Sequence, residues 1–299
     1  MIHSTSLRVT KAIVPIAGLA TRFLPISKVV SKEFLPLADK PLIHYALEEM
    51  RDSKVTHVIF VVDARNLRFL SEYLKRSPSL EKFLEDRKNT QTLEELRALS
   101  HAFEGISFSF VQQTKPLGEG HAILQAQKFI GDEPCFVLSP DDVIESKVPG
   151  LAQLAKIFAT AQCPVTGLFQ LPEEQLHAYG VCEGEQIARR LTKIRKIVEK
   201  PEPGTAPSNL AMPGRRIITP DVFYYLKKAR PNTRGEISFG ETLGEMVKEG
   251  KVMYGYELEG RWLECGNKKA WMRSNLYLML SSQEFGQELK AFLKTEHLI

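Results

Sequence analysis

Ala12-Ile13-Val14-Pro15-Ile16-Ala17-Gly18-Leu19-Ala20-Thr21-Arg22 starts as an apolar run and breaks at a glycine into a loop that ends on a cation. An apolar run without alternation suits a strand buried on both faces, as in a parallel sheet covered by helices. Glycine lets a ligand approach the main chain closely, and successive N–H groups there can hold phosphate oxygens. Working outward, Arg22, Lys28 and Lys32 place three cations within eleven residues. They fall on an irregular loop at the strand's C-terminal end, where open α/β sheets bind ligands. Two familiar phosphate loops are excluded: the Gly-Lys-Ser/Thr of one and the further glycines of the dinucleotide fingerprint are both missing.

The same rhythm continues along the chain. Pro41 opens a helix with Leu42, Tyr45, Ala46 and Met50 at helical spacing. His57–Val62, Ile106–Gln112 and Cys135–Leu138 read as strands, and Gly120–Phe129 reads as a helix. Strand-then-helix repetition predicts an α/β fold: a Rossmann-like, mostly parallel sheet flanked by helices. Ser77–His101 reads as a charged helical arm, and 204–213 as a loop. From Lys268 a helix carrying Trp271, Leu276, Leu278 and Leu280 leads to a polar tail. The expected organisation is one α/β domain over 1–267 with a C-terminal helical extension over 268–299.

Composition narrows the function classes. The 299 residues are 43% hydrophobic and 25% charged, which excludes fibrous and disordered classes. Lys+Arg 40 against Asp+Glu 36 gives +4, too mild an excess for a polycation that coats nucleic acid. No apolar run approaches the roughly 18 residues of a membrane span. The amino terminus lacks a secretory layout, and the four cysteines form no CxxC pair, so reduced thiols and a cytoplasmic location are expected. Ser139-Pro140-Asp141-Asp142 brings adjacent carboxylates to the end of an apolar strand. Such a pair suits a hard cation such as Mg²⁺, although an Asx turn or helix cap uses the same residues.

In order, GLATRFLP (18–25), SKEFLPLADKPLI (31–43), GEGHAI (118–123), SPDD (139–142), AYGV (178–181), VEKP (198–201), SNLAMPGR (208–215) and CGN (265–267) run along nearly the whole chain. This ordered set resembles the bacterial UTP–glucose-1-phosphate uridylyltransferases, within the sugar-1-phosphate nucleotidyltransferases. The resemblance implies a nucleotidyltransferase-type fold, Mg²⁺, and conversion of UTP and glucose 1-phosphate to UDP-glucose and pyrophosphate. In that chemistry a sugar-phosphate oxygen attacks the α-phosphorus in line, so catalysis is positioning and charge neutralisation. Two unit charges 4 Å apart repel by about 4 kcal/mol at an effective dielectric of 20, so the site needs cations.

Carried over residue by residue, the resemblance gives Arg22 and Lys32 to the triphosphate and Lys200 to the sugar phosphate. Asp141 becomes the metal ligand, with Asp142 as the adjacent alternative. Gln113 reads the uracil imide by donating and accepting, with Gln112 one position away. Ala17, Gly18 and Gly118 offer main-chain groups to the uridine. Glu199 and Asn209 contact the hexose, and Tyr179, Gly180 and Gly214 line its pocket. A homodimer or homotetramer through the C-terminal helices is also implied, with no nucleic-acid or membrane partner. On a regular strand Glu199 and Lys200 face opposite ways. The expectation is that Pro201 holds Lys200 extended at a strand end, where both reach one ligand.

Several residues depart from the family pattern. Ala20 stands for a second glycine, Glu119 for leucine, Ser139 for leucine and Glu264 for aspartate, and 238–241 is altered. If position 20 requires a positive φ, alanine there costs about 1–2 kcal/mol. These departures leave open a non-catalytic regulatory relative, or a transferase for another sugar 1-phosphate or for dTTP.

Overall fold

A computed structural model describes residues 8–298. In chain order its strands are β1 (Lys11–Ile16), β2 (Pro36–Leu37), β3 (Lys40–Pro41), β4 (His57–Val62), β5 (Ser107–Gln112), β6 (Cys135–Leu138) and β7 (Asp142–Glu145). There follow β8 (Val165–Gln170), β9 (Gly180–Ala188), β10 (Leu191–Glu199), β11 (Leu210–Met212), β12 (Arg215–Ile218), β13 (Tyr254–Glu257) and β14 (Arg261–Glu264). Ten of them form one sheet in the order β11-β9-β10-β13-β8-β12-β6-β1-β4-β5. Two short pairs, β14-β7 and β2-β3, stand beside it.

The expected strands β1, β4, β5 and β6 are present and run parallel, with Ile13 opposite both Ile59 and Val137. Their apolar runs do not alternate because both faces are covered. Val14 and Phe60 enter one core, while Ile13 and Ile59 enter the other. The sheet as a whole, however, is mixed rather than mostly parallel. Strand β12 runs antiparallel between β6 and β8, and β9, β10 and β11 pair antiparallel, with only β13–β8 parallel on that side. The reason is local: β9 and β10 form a hairpin through Arg189 and Arg190, and Arg190 takes a positive φ of 64° there.

Smaller differences have similarly local causes. The helix expected over Gly120–Phe129 is Glu119–Gln125 followed by a turn of helix at Gln127–Ile130. The arm is two helices, Pro78–Asp86 and Thr90–His101, the second capped by Asn89. Part of the expected loop over 204–213 is strand β11. The polar tail carries a helix, Gly286–Thr295. The helix Lys268–Ser281 packs Trp271, Tyr277 and Leu278 against Leu37, Leu42 and Leu263. All four cysteines are free thiols. Among the described residues no helix is long and apolar enough to cross a membrane.

Candidate active site

Strand β1 delivers the loop directly. Asn66, fully buried, donates from Nδ2 to the carbonyl of Ile16 and so pins the end of the strand. The chain then turns through Ala20 at φ 49° and ψ 41°. Position 20 therefore does sit in the left-handed region, where an L residue is strained by its β-carbon. Gly18 has ordinary φ and open space around its missing side chain, so its value is access, not conformation.

A cavity of about 490 Å³ lies at the C-terminal edge of the parallel strands. Ala17, Gly18, Arg22, Lys32, Gln113, Gly118 and Asp141 all line it. Lys28 is not part of this lining, and Gln112 is exposed whereas Gln113 is buried. Of the two glutamines, Gln113 is the one that lines the cavity.

Lys32 Nζ lies 2.6 Å from Asp141 Oδ2. Burial works against the ammonium charge, but Asp141 and Glu33 outweigh it and raise its pKa. Asp141 behaves as the mirror image: burial opposes its charge, yet Lys32 holds it below the usual carboxylate range. Asp142 differs. Its two oxygens accept from Trp262 Nε1 and Gly214 N, each at 2.8 Å. Burial and the Asp141 charge push it up to about 6. Asp142 thus clamps Gly214 and Trp262 beneath the turn, and Asp141 is the carboxylate that faces the cavity.

The surroundings of Asp141 suit a hard cation. A β-carbon at Gly266 would sit 3.0 Å from Asp141 Oδ2 and 2.9 Å from Glu264 Oε1, so the glycine keeps open a space flanked by two carboxylates. Burial first, and the Asp142 and Asp141 charges after it, push Glu264 up to about 7. Among the described residues no three His, Cys, Asp or Glu side chains form a complete cage. Mg²⁺ does not need one, since it keeps waters and takes phosphate oxygens.

Gln113 is oriented by a residue with no expected role in the chemistry. Its Nε2 donates to His121 Nδ1 at 2.7 Å and to the Gly118 carbonyl at 3.3 Å. Both amide protons are therefore engaged, and Oε1 remains as the acceptor for an imide N–H.

The sugar-side residues are less unified. Glu199 and Lys200 line a separate hollow of about 180 Å³, which shares Glu119 and Glu236 with the larger cavity. Lys200 is not extended as expected; its φ is 47°. Its N–H bonds the Tyr179 carbonyl at 3.0 Å, and the left-handed turn that follows undoes the strand alternation. As a result Lys200 Nζ comes within 3.3 Å of Glu199 Oε1, so both groups serve one hollow. Gly180 is small because a β-carbon there would lie 2.9 Å from Glu199 Oε2. Gly214 leaves room for Ser139 and Asp142 in the same way. Tyr179 lines a third hollow with Trp262 and Glu264. Asn209 is exposed and uses its carbonyl to accept from Leu171 N, away from all these hollows.

Two groups carry weight that the sequence reading did not assign. Arg215, 1% exposed, pairs with buried Glu49 at 2.7 Å and donates to the Ser139 carbonyl at 2.8 Å, fixing the turn that bears Asp141. Arg216, its neighbour, faces the opposite core toward Glu119. The only signal for either was the Gly-Arg-Arg run that follows the Asn209 segment.

With the geometry in place, comparison with known proteins is informative. Residues 11–279 match the sequence profile of the family described as nucleotidyl transferase. A curated UTP–glucose-1-phosphate uridylyltransferase from Bacillus subtilis is 35% identical over 287 residues, covering 96% of this chain and 97% of that protein. A protein of the same description from Staphylococcus epidermidis is equally similar, covering 98% of its own length. Among solved structures, a UDP-glucose pyrophosphorylase complexed with UDP-glucose superposes with a TM-score of 0.82 at 33% identity, over 92% of this chain and 100% of that one. A UTP-bound UGPase from Acinetobacter baumannii gives a TM-score of 0.85 at 28% identity, over 95% and 98%.

Proposed function

The chain belongs to the nucleotidyl transferase family, and from that premise we infer that it transfers the uridylyl group of UTP to glucose 1-phosphate, forming UDP-glucose and pyrophosphate. An oxygen of the sugar phosphate bonds to the α-phosphorus of UTP as the bond from that phosphorus to the bridging β-phosphate oxygen breaks. Pyrophosphate leaves with the electron pair. No covalent enzyme intermediate is required.

The carrying observation is convergence. Arg22, Lys32, Gln113 and Asp141, from three distant stretches, line one cavity, and the hollow holding Glu199 and Lys200 adjoins it through Glu119 and Glu236. Gln113 Oε1 accepts the imide N–H of the base, while the main chain at Gly18 lies open to the nucleotide. Arg22 and Lys32 neutralise the triphosphate, and Lys200 receives the second anion so that the reactants meet despite their charge. Glu199 accepts from hexose hydroxyls, Gly180 leaves room for the Glu199 carboxylate and Gly214 for Ser139 and Asp142, while Tyr179 lines a neighbouring hollow and Asn209 lies outside all of them. Asp141, with Glu264 beside it, would hold Mg²⁺, which would supply positive charge against the phosphates.

The exposed apolar side chains Met272, Leu276 and Phe292 of the C-terminal helices supply the contact for a homo-oligomer. The direct test mixes protein, UTP, glucose 1-phosphate and Mg²⁺ and follows pyrophosphate release. Release expected from UTP and absent from CTP supports the Gln113 reading, because cytosine lacks the imide N–H. Stronger turnover with dTTP or another hexose 1-phosphate would redirect the substrate assignment.

A further inference from the structure

Glu119 borders both hollows, so it stands where the nucleotide and the sugar phosphate meet. Behind it, on β12, lies Arg216, whose side chain is 7% exposed and whose Nη1 is 3.8 Å from Glu119 Oε1. The guanidinium rests 5.3 Å from the centre of the Phe239 ring. Its Nε is buried without a hydrogen-bond partner. An arginine has five N–H donors, and one left unmet in a buried position is destabilising. Arg216 lines neither hollow, so it backs Glu119 from behind and leaves the carboxylate as the acceptor open to an incoming group. A sugar hydroxyl matches it, since it donates to a carboxylate. A phosphate does not match, because Glu119 would repel it.

We propose that Glu119, held in place by Arg216, reads a hydroxyl of the hexose and makes this pair a specificity-determining element for the glycosyl 1-phosphate. This rests on the transferase reading above and deepens it. Glu119 and Glu199 then flank the ring, so that two carboxylates share the recognition of the hydroxyls. Arg216 acts through Glu119 and is a positioning residue.

The test uses Glu119→Leu, Arg216→Met and Arg216→Lys with glucose 1-phosphate and its monodeoxy analogues. Losing a hydrogen-bonded acceptor in the site should raise KM for glucose 1-phosphate about tenfold in Glu119→Leu, with KM for UTP within about twofold. Wild type should disfavour one particular monodeoxy sugar, and Glu119→Leu should lose that preference at the same carbon. Arg216→Met should follow Glu119→Leu, and Arg216→Lys should recover part of the loss. If Arg216→Met fails to fold, Glu119→Leu and Arg216→Lys still decide the matter. Unchanged discrimination among the deoxy sugars in Glu119→Leu, or a change confined to UTP, overturns the proposal. An inactive wild type would instead sink the transferase reading. Calorimetric binding of UDP-glucose against UDP needs no turnover: the advantage of UDP-glucose should shrink in Glu119→Leu, and an undiminished advantage refutes the role of Glu119.

Discussion

The parallel half of the sheet and the antiparallel half equip the site by different means. Strands β1, β5 and β6 end at one edge, and the residues that follow them, Gly18 to Arg22, Gln113 and Asp141, reach one cavity from short turns. The antiparallel half has no such common edge. It places Glu199 at the end of β10 and needs the left-handed Lys200 to bring the ammonium alongside. Parallel strands gather ligand groups by direction alone. Antiparallel strands gather them by a particular residue in a particular conformation, which is more vulnerable to single changes.

Breaking each half in turn should separate the two anions. The largest expected effect is Lys32→Ala, which removes a triphosphate cation and leaves Asp141 without its partner 2.6 Å away. Initial-rate assays should show kcat/KM down about a thousandfold, ~4 kcal/mol. On the other side, Lys200→Ala should lower kcat about a hundredfold while UTP affinity changes less than about threefold, because the cation serves the second anion. Equilibrium UTP binding and saturating rates distinguish the outcomes; a collapse of UTP affinity with intact turnover would contradict the role.

Acid should weaken the parallel half first. Glu48, on the helix Leu42–Asp52, lies 3.0 Å from Lys40 and 3.1 Å from His44. Burial opposes its charge, but those two partners outweigh burial and hold its pKa at about 2, below the usual 4.5 of a glutamate. The stabilisation is full above the unfolded value and is lost as pH falls through the folded one, and amounts to about 2 kcal/mol. Urea unfolding should show wild type ahead of Glu48→Gln by about that amount at pH 7 and by much less near pH 2.5, provided both fold reversibly.

The smallest effect sharpens the contrast between the two left-handed residues. Ala20→Gly should stabilise by no more than about 1 kcal/mol, since relief of strain is partly offset by extra freedom in the unfolded chain. Lys200→Gly should relieve similar strain yet lose the activity that Lys200→Ala loses. Thermal unfolding alongside rate assays would separate conformation from charge at both positions.

Much of the nucleotide side was legible in the sequence. The run Ala12–Ala17 with its glycine, the amide at Gln113 and the carboxylates after Cys135–Leu138 are each a strand and the turn that follows it. The sugar side was read less well. Pro201 suggested an extended Lys200, and the Tyr179 carbonyl together with the end of the β9–β10 ladder placed it otherwise. Asn209 matched a motif, yet its backbone is committed to Leu171 and its side chain is exposed. Glu119 stood out as a departure from the family pattern, but nothing nearby in the chain pointed to Arg216.

By itself, then, the sequence determined the buried strands, the loop and the order of the chemical groups, because apolar periodicity and backbone preference act between near neighbours. Only the tertiary structure decided that β12 would run against β6 and β8, that Arg215 and Arg216 would enter opposite cores, and that Glu119 would border two hollows. Those outcomes depend on which distant segments pack together, and burial and pairing across the sheet settle that, with no trace in the local pattern.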